Sequence, residues 1–336
     1  MAGWFRDLYG FEEGGSFEKT RGMFRMEGYE LVCPTSLFQR QYVGPFDTPS
    51  VAELRKKVSS TLTSSAGHLH FRHLATPTGI EPIILNPANA GAVFQAASQF
   101  NCLEMVGPGV TPRRGIANYA NDPTQGPKCA LACPAGTVFR NYLCNDGVGQ
   151  GERQIDTLSD VGVVVGNVGN RFWTMKNGYA LPTTASSIAE LAAVLRSNPD
   201  MVAAAEDALR VGVHWDTQVK PPHTHRVLQV YASAVPVSYS GTSASHWEPF
   251  ARLVLRAAYY ATLAVACLKA SEEPGRRVSV YLTSLGGGAF GNRQGWIRDA
   301  LVGALDAFDG AMLDVFLVHY GTRVPSDWQA DVPDRR

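Results

Sequence analysis

From residue 226 onward, apolar positions alternate between short continuous runs and stripes of helical period. Arg226–Val237 reads as a strand, Trp247–Ala270 as a helix, Val278–Thr283 as a strand, Arg293–Phe308 as a helix and Leu313–His319 as a strand. Strands separated by helices of this length predict βαβ units and a sheet covered on both faces. Earlier in the chain the signals are shorter. Tyr29–Cys33 and Gln41–Val43 predict strands, Phe46–Ser50 leads into a helix over Ala52–Ser59, and His68–Leu74 and Glu81–Leu85 predict further strands. From Gly91 a helical stripe runs through Val93, Phe94, Ala97, Phe100 and Leu103. Val161–Val165 predicts a buried strand, and Lys176-Asn-Gly178 marks a hairpin between Arg171–Thr174 and Tyr179–Leu181. Ser186–Arg196 and Pro199–Leu209 predict helices. Between Val106 and Asn145 the chain is rich in Pro, Gly, Asn and Asp, as expected of a long functional loop. These signals predict one domain over residues 1–322, with an N-terminal extension (1–75), an insertion-containing region (106–225) and a C-terminal core (226–320). A loose tail is expected over 323–336.

Charge narrows the partners. Thirty Lys and Arg balance thirty Asp and Glu, so no strong basic patch for nucleic acid or anionic membrane is expected. The start, Met1 to Leu8, lacks the apolar core of a signal peptide. The apolar stretch Phe250–Leu268 carries Arg252 and Arg256 and reads as a core helix, with no membrane partner expected. Six scattered cysteines suit free thiols in a reducing compartment, cytoplasmic or nuclear. Neither Cys129, Cys133 and Cys144 nor His223 and His225 match a zinc pattern, so no metal and no cofactor are expected.

The segment Val278-Ser-Val-Tyr-Leu-Thr-Ser-Leu-Gly-Gly-Gly-Ala-Phe-Gly-Asn292 carries the candidate chemistry. A strand runs into Gly286, Gly287 and Gly288, Gly291 follows, and a helix begins after it. Glycines allow an anion to approach backbone N–H groups at such a junction, which suits a phosphate or diphosphate. The spacing matches neither a P-loop nor the dinucleotide fingerprint. A plain tight βα turn is the alternative.

Two pieces together resemble the macrodomain superfamily of ADP-ribose-binding modules. Asn86-Pro-Ala-Asn89 is similar to its N-x-A-N element, and Gly288-Ala-Phe-Gly291 to the G-x-[FY]-G of its diphosphate loop. The resemblance covers residues 80–105 and 226–320. It implies an α/β fold of three α/β/α layers around a mixed sheet, with ADP-ribose across the sheet's crest. It also implies that Gly286, Gly287, Gly288, Ala289, Phe290 and Gly291 wrap the diphosphate, with Asn292 as a further ligand-binding residue. Phe290 would flank the distal ribose and Asn89 would face it, although Asn89 also suits a local Asx cap. Gln99-Phe-Asn101 is similar to the Q-E-E signature of poly(ADP-ribose) glycohydrolases, but Asn101 stands where a carboxylate would act, and an amide supplies no titratable proton.

Cleavage of an ADP-ribosyl bond needs a proton donor and stabilisation of an oxocarbenium-like centre. Glu104, about one helical turn from Asn101, is one candidate acid. Glu13, beside Glu12 in a glycine-flanked loop, and Asp122, on a turn with Thr124 and Gln125, are the others. Each also reads as an ordinary solvated group. The leading expectation is an ADP-ribosyl hydrolase acting on an ADP-ribosylated protein or nucleic acid, or on a free derivative. A non-catalytic reader and a different nucleotide-processing enzyme are the alternatives.

Overall fold

The computed structural model describes residues 3–62, 67–273 and 275–335. Met1, Ala2 and Arg336, which belong to the expected leader-free start and loose tail, lie outside the described residues. The strands are β1 (Arg25–Glu27), β2 (Glu30–Val32), β3 (Arg40–Tyr42), β4 (Phe46–Asp47), β5 (His70–Thr76), β6 (Val93–Ala97), β7 (Trp173–Lys176), β8 (Tyr179–Pro182), β9 (Gly212–Gln218), β10 (Arg226–Ala232), β11 (Val278–Thr283) and β12 (Leu313–Tyr320). Seven of them form one sheet in the order β4-β9-β10-β6-β11-β12-β5. The five from β10 to β5 run parallel, while β9 pairs antiparallel with both β10 and β4, so the sheet is mixed.

Alternation along the parallel strands divides the core into two faces. Val93, Val280, Leu282, Val315 and Leu317 turn to one face and meet the helices Val51–Leu62, Ser187–Ser197, Pro199–Ala208, Ala244–Glu272 and Gln294–Ala307. Phe94, Tyr281, Phe316 and Val318 turn to the other, under the helices Glu81–Leu85 and Gln125–Ala132. The expected α/β/α layering is therefore present. Register puts Phe94, Tyr281 and Phe316 side by side on adjacent strands. Their rings stack at centroid distances of 4.7 and 5.2 Å, which adds aromatic attraction to the burial. The helix Ala244–Glu272 is long and apolar enough to cross a bilayer by length and composition, but most of its apolar window is buried inside this core.

A further cluster joins the start of the chain to the insertion. Phe5, Tyr9, Phe17 and Phe24 pack against Ile116, Tyr119, Val138 and Tyr142. Here the structure departs from the expected open loop. The insertion folds into the helices Gln125–Ala132 and Pro134–Val138 and a turn of π-helix over Phe139–Leu143, much of it buried.

Other departures have local causes. Glu81–Leu85 is a short helix, not a strand, and Pro82 sits in its first turn, where a fixed φ favours helix. The stripe from Gly91 is strand β6, not a helix. It is buried on both sides, so the two-residue alternation that marks a half-exposed strand is missing. Ser159–Val165 is a helix, with Val161 and Val165 inward and Val163 79% exposed. Strand β9 had no distinct pattern. The β7–β8 hairpin forms as expected, with Asn177 at φ 48° and Gly178 at φ 80°, the left-handed pair such a turn requires.

The tail is docked, not loose. Its helix Ser326–Asp331 buries Trp328, and Val332 follows it into the core. Arg335 exchanges backbone hydrogen bonds with Phe71 at 2.9 and 3.0 Å. His73 Nε2 lies 2.7 Å from the Val332 carbonyl. A carbonyl only accepts, so Nε2 carries the hydrogen. His73 Nδ1 shares a hydrogen bond with His319 Nε2 at 2.9 Å. Burial, with His73 beside it, holds the His319 imidazole down at about 4 from its usual 6.5. The folded state therefore refuses a proton that the unfolded chain takes. Stability is complete above pH 6.5 and falls as pH drops toward 4, by at most about 3 kcal/mol. Thermal melts at pH 7 and 4.5 should show this loss, and His319→Gln should reduce the difference between them. An equal difference in that variant would refute the assignment.

Candidate active site

The glycine loop follows β11 at the C-terminal edge of the parallel strands, where open α/β sheets hold ligands. Gly286 takes φ 71°, and a Cβ there would lie 2.4 Å from Ala234 Cβ. Gly291 takes φ 72°, and a Cβ would sit 1.9 Å from Ser238 Oγ. Both glycines are required for close packing against the segment after β10.

The expectation that the whole run faces a ligand is corrected by its hydrogen bonds. Gly287 N donates to Ser284 O, Gly291 N to Gly288 O and Asn292 N to Gly286 O, each at 3.0 Å. Asn292 is buried, and its side-chain amide donates to Val235 O at 2.9 Å, so it braces the loop. The amides of Gly286, Gly288, Ala289 and Phe290 have no acceptor within the described residues.

Those residues border a cavity of about 660 Å³, walled by the ends of β6 and β11 and by the insertion. Gln99, Glu104 and Asp122 line it, together with Ser98, Gln125, Tyr179 and Tyr239. The remaining expected residues lie elsewhere. Asn89 precedes β6 and so occupies the opposite end of the sheet. Its amide donates to Ile83 O and its oxygen accepts from Tyr281 Oη, both at 2.8 Å. Asn101 is fully buried, accepting from Leu103 N at 3.2 Å and donating to Gln154 Oε1 at 2.9 Å. Glu13 pins the insertion by accepting from the amides of Ile116 and Ala117 and from Tyr142 Oη. Burial raises its carboxyl, and these donors pull it back. Asn89, Asn101 and Glu13 are thus structural braces.

Glu104 lies in the loop after β6, not on a helix, and its side chain has no exposed surface. Ser98 Oγ donates to it at 2.9 Å, and Arg140 Nη2 stands 3.4 Å from both carboxylate oxygens. Burial raises the Glu104 carboxyl, opposed by Arg140 and Ser98. Ser98, itself buried, thus holds this carboxylate at the cavity wall. Asp122 is half-buried and reaches solvent. One of its oxygens accepts from Thr124 N and Oγ1 at 2.9 and 2.6 Å. Gln99 is tied down by Met105 N at 2.8 Å. Gln125 is fully committed to the backbone of β6, accepting from Ala97 N and donating to Gln95 O.

Ser98, Arg140, Tyr179 and Tyr239 were not anticipated. For Arg140 a signal existed: it is the lone charge in the run from Cys129 to Leu143, and an isolated charge in an apolar stretch is buried and partnered. The tyrosines carry no such mark, because the insertion's fold alone brings Tyr179 to the glycine loop. Among the described residues no three His, Cys, Asp or Glu side chains are grouped as a metal site would need, and all six cysteines are free and buried.

No family model and no curated protein matches the chain. Among solved structures it is similar to a poly(ADP-ribose) glycohydrolase from Deinococcus radiodurans in complex with ADP-ribose, at 10% identity and a TM-score of 0.47, covering 86% of this chain and 94% of that one. It is also similar to one from Thermomonospora curvata bound to the inhibitor ADP-HPD, at 12% identity and a TM-score of 0.37, covering 89% of each. The fold itself rests on the sheet order and register described above.

Removing Arg140 leaves Glu104 buried without its countercharge. Arg140→Met should cost about 3–5 kcal/mol, and the double variant with Glu104→Leu should recover much of that. Urea denaturation of both variants measures this coupling. A double variant no more stable than the single one would show that the two groups do not act as a pair.

Proposed function

We propose that this cavity binds ADP-ribose, free or attached to a macromolecule, and that the protein hydrolyses the ADP-ribosyl linkage. The observation that carries the proposal is the set of four unclaimed loop amides beside a cavity large enough for a nucleotide. A diphosphate needs converging donors, and backbone N–H groups supply them without a cationic side chain. In this reading Gly286, Gly288, Ala289 and Phe290 donate to the diphosphate, and the Phe290 ring flanks the distal ribose. The amides of Gly287, Gly291 and Asn292 hold the loop in shape. Asp122, the lining carboxylate that reaches solvent, is the group able to exchange a proton with water at the ribose. Glu104 acts on the cavity through the Ser98 hydroxyl.

One observation favours a second reading, recognition without cleavage: the carboxylate raised by burial is bonded to Ser98 and paired with Arg140. Turnover separates the two. Release of ADP-ribose from ADP-ribosylated substrates supports hydrolysis, whereas saturable binding without release supports a reader.

Gly288 offers the clean probe of the loop. A Cβ at Gly287 would meet Ser284 Oγ at 2.7 Å and Ile297 Cδ1 at 3.1 Å, whereas one at Gly288 meets nothing within 4 Å. Gly288→Val should therefore keep the fold and obstruct anion approach. ADP-ribose at a hundredfold excess over Kd should stabilise the natural chain by about 2.7 kcal/mol, and this gain should vanish in the variant. Thermal denaturation with and without ADP-ribose tests it, and equal stabilisation of both proteins would refute the loop assignment.

A further inference from the structure

One end of the cavity is built by three aromatic rings from three separate segments. Tyr179 comes from β8, Tyr239 from the turn after β10 and Phe290 from the glycine loop. Their ring centroids stand 5.2, 5.4 and 5.6 Å apart, so the rings touch one another and leave no gap between them. The rings are tilted by 46–74° to one another. Tyr179 is buried behind the other two, and its hydroxyl donates to Met105 O at 2.8 Å, which fixes the ring. Tyr239 and Phe290 keep exposed surface, against which a planar group can pack.

Asp122 lines the same cavity. It has no ion-pair partner among the described residues. The cation in the lining, Lys128, lies 3.9 Å from Glu81. A cavity that holds both aromatic rings and a carboxylate without a countercharge favours a planar cation.

The leaving group follows the same logic. Cleavage of an O-glycoside requires a proton on the departing oxygen. Glu104 is paired with Arg140 and bonded to Ser98, and one Asp122 oxygen is held by Thr124, so neither carboxylate is a free donor at that oxygen. A pyridinium leaving group needs no proton, because it departs as a neutral base.

We infer that the substrate is an oxidised pyridine dinucleotide, with its nicotinamide ring against Tyr239 and Phe290 and its positive charge in the cavity that Asp122 lines. This rests on the ADP-ribose reading, since ADP-ribose would be the product held by the loop. In the reaction the bond between ribose C1′ and the ring nitrogen breaks, and its electron pair goes to that nitrogen and cancels the charge. Water oxygen bonds to C1′, and its proton passes to Asp122 and then to solvent. Nicotinamide, ADP-ribose and one proton result, with no oxidant or reductant consumed. Asp122 also faces the oxocarbenium-like charge that develops at C1′.

The test uses the full chain with NAD+, NADH and ADP-ribose, reading nicotinamide release by chromatography and binding by calorimetry. NAD+ should be cleaved, whereas NADH should remain intact and bind about tenfold more weakly, since its neutral ring loses the cation attraction. Asp122→Asn should lower kcat about a hundredfold and erase the affinity difference between NAD+ and NADH, while ADP-ribose still binds. Tyr239→Leu should weaken NAD+ more than ADP-ribose. ADP-ribose binding without NAD+ cleavage, or equal affinities for NAD+ and NADH, would overturn this inference and leave the loop assignment standing. Failure to bind any of the three would overturn both.

Discussion

A guanidinium with no exposed surface holds the insertion to the sheet. Arg140 sits in the π-helical turn and spends its donors on the Cys102 carbonyl, the Tyr231 hydroxyl, Thr137 and Glu104, while its plane lies 3.7 Å from the centroid of the Tyr231 ring. These partners come from the loop after β6, from strand β10 and from the insertion itself. Pulling the insertion away would strand two opposite charges in an apolar interior, so the insertion, the β6 loop and the sheet are coupled. Cys102 takes a left-handed φ of 59°, uncommon for a residue with a side chain. Its carbonyl accepts from Arg140 at 2.8 Å, which compensates that strain. The network extends to His214, whose Nδ1 is 3.0 Å from the Tyr231 hydroxyl, and burial beside Arg140 keeps that imidazole neutral.

Because this coupling fixes the loop after β6, it also fixes the cavity. Ser98 and Glu104 form one wall, the helix Gln125–Ala132 forms another through the Gln125 clamp, and β8 delivers Tyr179 over the glycine loop. The glycine loop is the second rigid element. Its own bonds between residues 284 and 292 consume the amides that shape it and leave the others without an acceptor among the described residues. A site assembled from two rigid parts needs little reordering when a ligand enters, which lowers the entropic cost of binding.

The C-terminal half was legible because each of its strands and helices carries its own periodicity. β11, the glycine loop and the following helix were visible from residues 278–308 alone, and two glycines do take the positive φ that close packing demands. The failures share one cause, which is burial decided by distant parts of the chain. β6 looked helical because tertiary packing covers both its faces. Asn89 belonged to the other end of the sheet once Val93–Ala97 became a strand, since a strand carries its start and finish to opposite edges. Glu13 and Asn101 offered suitable chemistry, but their partners lie as far along the chain as Tyr142 and Gln154. The order of the tail depends on a pair of histidines, one on β5 and one on β12, that no local pattern links.

An anion held by backbone amides in place of arginines changes what else the site can contain. Amide dipoles fall off more steeply with distance than a full charge does, so they stabilise a diphosphate without much effect a few ångströms further along. Carboxylates near a bound arginine cluster would be paired and silenced. Here the lining has one cation, near Glu81, and two carboxylates, Asp122 and Glu104. Glu104 is matched by Arg140, which is not part of the lining. Unclaimed amides and the carboxylate of Asp122 thus border one cavity. Under the proposed function, a ligand that joins an anionic group to an electron-poor one would find a partner for each, and a carboxylate in the cavity would favour positive charge developing at an anomeric carbon.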